Sequence, residues 1–351
     1  MSKRNIIVIG TSAGGFEALK TIVAGLPADL DASIFIVWHM APDVTGILPQ
    51  VLNKYGQLDA ANARDGEAIM PGRIYVSPPD QHLLIDDGYV RVTHGPKENR
   101  FRPAVDPLFR SAAYTYGSRV IGVVLTGALD DGTSGLWTIK EAGGLAVVQN
   151  PADAEVSSMP ENALAAVAVD YCLPASEIAG LLVTLSQETA PQITNSMKQT
   201  ARTKAEIDSA AEDSEAALAL FKSGKLTPYT CPDCGGVLAQ LQEGGRSRFR
   251  CHTGHAFSSD ALLVAVSEQI EHGFYSAIRR VDEGVMLLNH LGDHFAEDND
   301  PKLAALYFKK AKEAQTRADL VRRAVQAHEQ MSKNSMKTEA AADNENTHEA
   351  Q

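Results

Sequence analysis

The sequence predicts an α/β fold: a doubly wound, mainly parallel sheet with helices on both faces, then a small cysteine-bearing ribbon and an α-helical hairpin. Three observations carry this. Short continuous apolar runs alternate with helical patterns through the first half, as strands buried on both faces of a parallel sheet require. Three of the four cysteines fall between Cys231 and Cys251. Beyond them, two long stretches place apolar residues at helical spacing. The chain has 351 residues, 44% of them hydrophobic, which is enough for more than one domain and a sizeable core. A net charge of −12 disfavours nucleic acid or an acidic membrane as a general partner, because both would repel this surface.

In the first domain, residues 1–187, the strand-like runs are Ile6 to Ile9, Ser33 to Trp38, Arg73 to Val76, Val120 to Leu125 and Leu145 to Val148. Helical patterns cover Phe16 to Leu26, Pro107 to Tyr116 and Thr133 to Ala142. Leu83 to Ile85, Asp86-Asp87-Gly88 and Tyr89 to Val92 read as strand, turn and strand of a hairpin. Residues 188–227 are rich in Gln, Thr, Ser, Lys, Ala and acids and read as a linker, partly helical. The cysteine module occupies 228–258. The two helices of 259–330 run over Ser259 to Leu291 and Pro301 to His328, with Asp300 as N-cap and Pro301 at the first helical position. In the first, Leu263, Val266, Ile270, Ala277, Val281, Val285 and Leu288 form one apolar stripe, which packs within the chain or serves a homo-oligomer or receptor contact. Residues 331–351 have almost no apolar content and read as a disordered tail. Ile6 to Gly10 is too short an apolar run for a signal peptide, and no run approaches the ~18 apolar residues of a membrane span. With cysteines suited to a reducing compartment, a cytoplasmic protein without membrane insertion is expected.

Gly10-Thr11-Ser12-Ala13-Gly14-Gly15 joins the first strand to the first helix with the Gly-x-Ser-x-Gly spacing of a nucleophile elbow. A serine hydroxyl attacks only when a neighbouring base takes its proton, and small flanking residues permit the turn that lifts it off the sheet. A P-loop would need a following Lys-Ser/Thr pair, and a dinucleotide fingerprint would need Gly-x-Gly-x-x-Gly; neither is present. The second strand ends in Trp38-His39-Met40, so His39 lies at the same sheet edge. The strand Val120 to Leu125 runs into Thr126-Gly127-Ala128-Leu129-Asp130-Asp131-Gly132, where an aspartate can hold the histidine's Nδ1–H. The order Ser, His, Asp differs from the Ser, Asp, His of α/β-hydrolases.

These motifs, with Asn99-Arg100-Phe101-Arg102-Pro103-Ala104-Val105-Asp106, Asp65-Gly66-Glu67, Pro71 to Val76 and Ser157-Ser158-Met159-Pro160, resemble the catalytic domain of chemoreceptor methylesterases over roughly residues 5 to 185. The resemblance implies Ser12 as nucleophile, His39 as general base and acid, and Asp131 as orienter. It implies a cytoplasmic protein-glutamate methylesterase acting on methylated chemoreceptor helices, with glutamine deamidation by the same acyl chemistry. Backbone N–H groups of Ala13 and Ala128 are the oxyanion-hole candidates. Arg100 and Arg102 are the candidates for steering an acidic receptor helix into the cleft. Members of the family often carry Thr and Met where this chain has Ala13 and Ala128, which bears on substrate preference. The family's usual N-terminal phospho-receiver domain does not precede the elbow at residue 10, so aspartyl phosphorylation within this chain is not expected to control it.

Cys231-Pro232-Asp233-Cys234 is followed, after sixteen intervening residues, by Cys251, with three residues between it and His255. Two short ligand pairs across a hairpin-length spacer suit tetrahedral Zn²⁺ in a zinc ribbon. The ligand set is Cys231, Cys234, Cys251 and His255, with His252 as the alternative histidine, cramped beside Cys251. A fully ligated site has no open position and is structural; catalysis needs no cofactor. Cys172 reads as a buried core residue. The competing readings are an esterase or amidase acting on another protein, and a signalling scaffold that binds partners through the zinc module and helices.

Overall fold

The computed structural model describes residues 3–39, 46–191, 201–328 and 331. Nine strands belong to the first half: β1 (Ile6–Thr11), β2 (Ser33–Trp38), β3 (Asp59–Asn62), β4 (Arg73–Val76), β5 (His82–Asp86), β6 (Tyr89–Thr93), β7 (Val120–Val124), β8 (Leu145–Gln149) and β9 (Tyr171–Leu173). Seven of them form one sheet in the order β3-β4-β2-β1-β7-β8-β9, with every neighbouring pair parallel. β5 and β6 make the expected antiparallel hairpin. The helices of this half are α1 (Gly15–Ala24), α2 (Leu48–Tyr55), α3 (Val105–Tyr116), α4 (Thr133–Glu141), α5 (Ser158–Ala166) and α6 (Ala175–Gln187).

The strand alternation explains the two-faced core. Ile7, Ile9, Ile34 and Ile36 pack with Leu19 and Ile22 of α1 and Ile178 and Leu182 of α6. Their neighbours Ile6, Val8, Phe35 and Val37 point the other way, onto Leu108 and Phe109 of α3 and Leu136 and Ile139 of α4. The sheet is therefore doubly wound. Its strand order turns back at β1, so β2 and β7 flank β1 and their carboxyl ends meet at the topological switch point, where open α/β sheets place their sites.

Several elements escaped the sequence reading. β3, Asp-Ala-Ala-Asn, has no apolar run and pairs only at one edge of the sheet. β9 is three residues long at the other edge, and its Cys172 is exposed, not buried as expected. The stretch expected as a partly helical linker holds two helices, α7 (Ala201–Ala210) and α8 (Ser214–Ser223), whose bounds the sequence did not give. Ile207 and Ala210 of α7 bury against Leu84 of the hairpin.

The cysteine module is a four-stranded sheet, β10 (Lys225–Thr230), β11 (Val237–Glu243), β12 (Arg246–Cys251) and β13 (Ala256–Ser258), beginning slightly before the expected boundary at 228. It belongs with the large sheet to one unit, Met1–Leu262, and Leu263–Gln351 makes a second. α9 (Ser259–Glu297) runs from one into the other. Within the second unit, α10 (Pro301–Gln326) starts as expected, with the Asp300 carboxylate accepting from Leu303 N–H at 3.1 Å. Phe295 stacks on Tyr307, and Asp282 pairs with Arg322, so the two helices form an antiparallel hairpin. Its seam uses Ala304, Ala311 and Ala318 of α10, all buried. Val266 and Ile270 of the expected stripe stay exposed. The expected tail lies outside the described residues apart from residue 331.

Candidate active site

Ser12 follows β1 directly. Its N–H donates to Thr126 O at 3.0 Å, tying the elbow to the loop after β7. Gly14 takes φ 74° at the start of α1, a left-handed turn that an L side chain resists. Gly127 is required for space: a Cβ there would lie 2.2 Å from Met159 Sδ and 2.8 Å from Ser12 Cβ. Thr11 pairs with Trp38 across β1 and β2, and His39 N–H donates to Thr11 O at 3.1 Å. Backbone pairing thus sets His39 beside the elbow. Trp38 Nε1 donates to Ser12 O at 2.9 Å and fixes the same corner.

His39 Nε2 meets Asp131 Oδ2 at 2.8 Å, with both side chains almost fully buried. The sequence predicts the aspartate on Nδ1; the structure places it on Nε2, with the ring stacked on Phe101, centroids 3.9 Å apart and planes 10° apart. Nδ1 is left buried with no protein partner. Because Asp131 is held below the usual carboxylate range and accepts, Nε2 is the donor of this pair.

Asp131 is held on every side. Oδ2 also accepts from Val105 N–H at 2.6 Å, and Oδ1 accepts from Asn99 Nδ2 at 2.8 Å and Gly132 N–H at 3.0 Å. Burial alone would push its carboxyl up, but His39 and these donors outweigh burial and hold it below the usual carboxylate range. Asp106, sharing Asn99 Nδ2 at 3.0 Å, goes the other way: burial and then the Asp131 charge push it to about 7.

Ala13 and Ala128 are exposed at the mouth of this corner. Among the described hydrogen bonds their N–H groups donate to no protein acceptor, as oxyanion donors must. The loop carrying Ala128 is pinned by Ser158, whose hydroxyl accepts from Leu129 N–H at 3.0 Å and donates to Gly127 O at 3.1 Å. The Arg102 guanidinium is committed to Asp80 and to the carbonyls of His94 and Gly95. Arg100 lies over the outer ring of the Phe101–His39 stack, 5.9 Å from the Phe101 centroid.

Cys231, Cys234, Cys251 and His255 bring their donor atoms within 4.8 Å of one another. Cys234 and Cys251 Sγ are 3.8 Å apart, and His255 Nδ1 is 3.7 Å and 3.6 Å from Cys231 and Cys251 Sγ. Zn–S bonds of about 2.3 Å and Zn–N bonds of about 2.0 Å in a tetrahedron give edges of roughly these lengths. His252 is outside the cluster, edge-on to Phe221.

The sequence reading missed the buried groups behind Asp131. Glu98 is buried among Arg110 of α3 and Arg248 and Arg250 of β12, and burial is overcome by those three charges, which hold its carboxyl well below the usual range. Glu206 of α7 also pairs with Arg250. The signal was the run of charge from Glu98 to Arg102, but Arg248 and Arg250 lie 150 and 152 residues away in sequence and only the fold supplies them.

A family model described as CheB methylesterase matches residues 7–182. A putative protein-glutamate methylesterase/protein-glutamine glutaminase of Leptospira interrogans is 43% identical over 187 residues, covering 53% of this chain and 97% of the relative. A protein of Anaeromyxobacter dehalogenans named protein-glutamate methylesterase/protein-glutamine glutaminase 2 is 42% identical over 173 residues, 49% of this chain and 51% of the relative. The crystal structure of the Thermotoga maritima CheB methylesterase catalytic domain aligns over 53% of this chain and 100% of that one, with TM-score 0.50 and 36% identity.

Proposed function

The chain belongs to the CheB methylesterase family, and from that premise we propose that it hydrolyses glutamyl methyl esters of methylated chemoreceptor helices by a serine mechanism. Ser12 Oγ attacks the ester carbonyl as His39 Nδ1 takes its proton. The N–H groups of Ala13 and Ala128 receive the oxyanion, an interaction whose loss typically costs on the order of 100- to 1,000-fold in rate. His39 returns the proton to departing methanol, then activates the water that frees the acyl-enzyme. Asp131 holds Nε2–H and stabilises the imidazolium formed in each step. Glutamine side chains would follow the same path with ammonia as leaving group.

The observation that carries this reading is the buried, unpartnered Nδ1 of His39, whose backbone N–H is bonded to Thr11 O beside Ser12, with Nε2 already on Asp131. Arg100, over the Phe101 ring, is the residue that would steer an acidic receptor helix. Zn²⁺ held by Cys231, Cys234, Cys251 and His255 would be structural, since four protein ligands leave no open position. Among the described residues no helix is long and apolar enough to cross a membrane, which fits work on receptor tails in the cytoplasm. A second copy of the chain would have to use the exposed apolar residues of the helical hairpin, such as Met286 and Leu287.

The test is methanol release from methylated chemoreceptor by the wild type and by Ser12→Ala. Release that disappears in the variant is expected. Release that survives it would remove Ser12 from the mechanism, and none from folded wild type would require a different substrate or a scaffold role.

A further inference from the structure

The ribbon does not merely follow the catalytic sheet; it reaches the triad acid through one side chain. Asn99 is 2% exposed and makes bonds in two directions. Toward the ribbon, its N–H donates to Ala256 O at 2.7 Å and its Oδ1 accepts from Ser258 N–H at 2.9 Å. Ala256 N–H donates in turn to Lys97 O at 3.2 Å, so this loop pairs with β13 almost as an added strand. Toward the site, Asn99 Nδ2 donates to Asp131 Oδ1 and to Asp106 Oδ2, standing between two carboxylates that would otherwise repel each other.

Asn99 has φ 49° and Arg100 φ 79°, the two central residues of a tight turn closed by Glu98 N–H on Phe101 O at 3.2 Å and Phe101 N–H on Glu98 O at 2.9 Å. The bonds from β13 to Asn99 fix where that turn sits. Ala256 follows His255 directly, and Cys251 N–H donates to His255 O at 3.0 Å, so the strand that grips Asn99 begins one residue after the cluster histidine.

We propose that Asn99 is a positioning residue through which the metal-loaded ribbon holds Asp131, making turnover depend on ribbon loading although no ribbon residue touches substrate. This rests on the reading of Asp131 as the triad acid. The cluster geometry fits a tetrahedral ion; the ion's part is to fix the turn from Cys251 to His255, and everything beyond is done by protein groups.

The experiment uses the full chain, metal-loaded and chelator-stripped, as wild type and as Asn99→Gly, which suits the left-handed backbone while removing the side chain. The first readout is kcat and KM for ester hydrolysis. The second is the downfield proton spectrum of the His39 Nε2–H shared with Asp131, assigned by its loss in His39→Gln, which needs no substrate. Expected are a kcat drop on the order of 10- to 100-fold in Asn99→Gly with little change in KM, the size of a lost hydrogen bond to a charged group. Stripping the wild type should lower kcat comparably and move the resonance, whereas stripping Asn99→Gly should add little. That non-additivity separates a shared path from two independent losses of stability.

Stripped wild type, with its metal measured as released, that keeps both kcat and the resonance would overturn the proposal. So would fully additive effects. If the stripped protein precipitates, the metal-loaded Asn99→Gly spectrum decides alone, an unmoved resonance being fatal. A resonance that moves as expected in a protein releasing no methanol would uphold the coupling and sink the esterase reading instead.

Discussion

At the scale of the residue, Asp131 shows how much work a single carboxylate does here. It fixes the His39 tautomer, and its own charge is kept by donors from Asn99, Val105 and Gly132. Asp131→Asn would present an amide that can donate to the ring as well as accept, and so admit the wrong tautomer. The expected result is a fall in kcat on the order of 10,000-fold with folding intact, as measured by ester turnover beside circular dichroism. A fall below tenfold would show that His39 is oriented by Phe101 stacking alone. Ser12, His39 and Asp131 could be proposed from the sequence because each lies beyond the carboxyl end of a strand, and strand ends in a parallel sheet share one edge; the structure brings His39 and Asp131 into hydrogen-bond contact. Which ring nitrogen Asp131 takes was not legible: it depends on the side-chain rotamer of His39, which its place after a strand does not set. Asn99 was visible only as part of a polar motif, since its partners Ala256 and Ser258 lie more than 150 residues on.

At the scale of the element, turns and small sheets hold the site through buried polar groups. The loop after β7 depends on Ser158 at the start of α5. Ser158→Ala should leave Leu129 N–H without its acceptor and displace Ala128, lowering kcat about tenfold or more while KM changes little, as steady-state kinetics would show. The β12 strand depends on Glu98. Glu98→Gln would leave Arg110, Arg248 and Arg250 without their central anion, a loss of about 3–5 kcal/mol by the general cost of breaking a buried ion pair. Chemical denaturation of the two proteins at neutral pH measures it; a difference below about 1 kcal/mol would mean that the arginines find other partners or water. The same burial explains why the sequence marks 188–227 only as a partly helical linker, without the bounds of α7. Its inward face carries Glu206, Ser209, Ile207 and Ala210, so polar composition hides a helix whose anchor is an ion pair to Arg250. Composition finds helices that bury hydrocarbon, and α7 buries a charge.

At the scale of the whole molecule, the unit Met1–Leu262 combines two attachments of different kinds, and acid should separate them. A metal ion held by the three thiols and the imidazole would compete with protons on groups whose ordinary pKa values are about 8.5 and 6.5, so its affinity would decline as pH falls through that range. Glu98 behaves differently. Its folded pKa is depressed, so its contribution is complete above the unfolded value of 4.5 and is lost only as pH falls through the folded value, well below that. Acidification should therefore act in two stages: first release of the ion, with loosening of the turn from Cys251 to His255, then loss of the Glu98 cluster that docks β12 onto α3. A chelator at neutral pH should reproduce the first stage and leave the second where it was. Acid titration followed by far-ultraviolet circular dichroism, with and without chelator and with released metal assayed in parallel, is the measurement. Coincidence of metal release and ribbon undocking in one step below pH 4.5 would show that the arginine–glutamate cluster, not the ion, sets the ribbon's hold on the catalytic sheet.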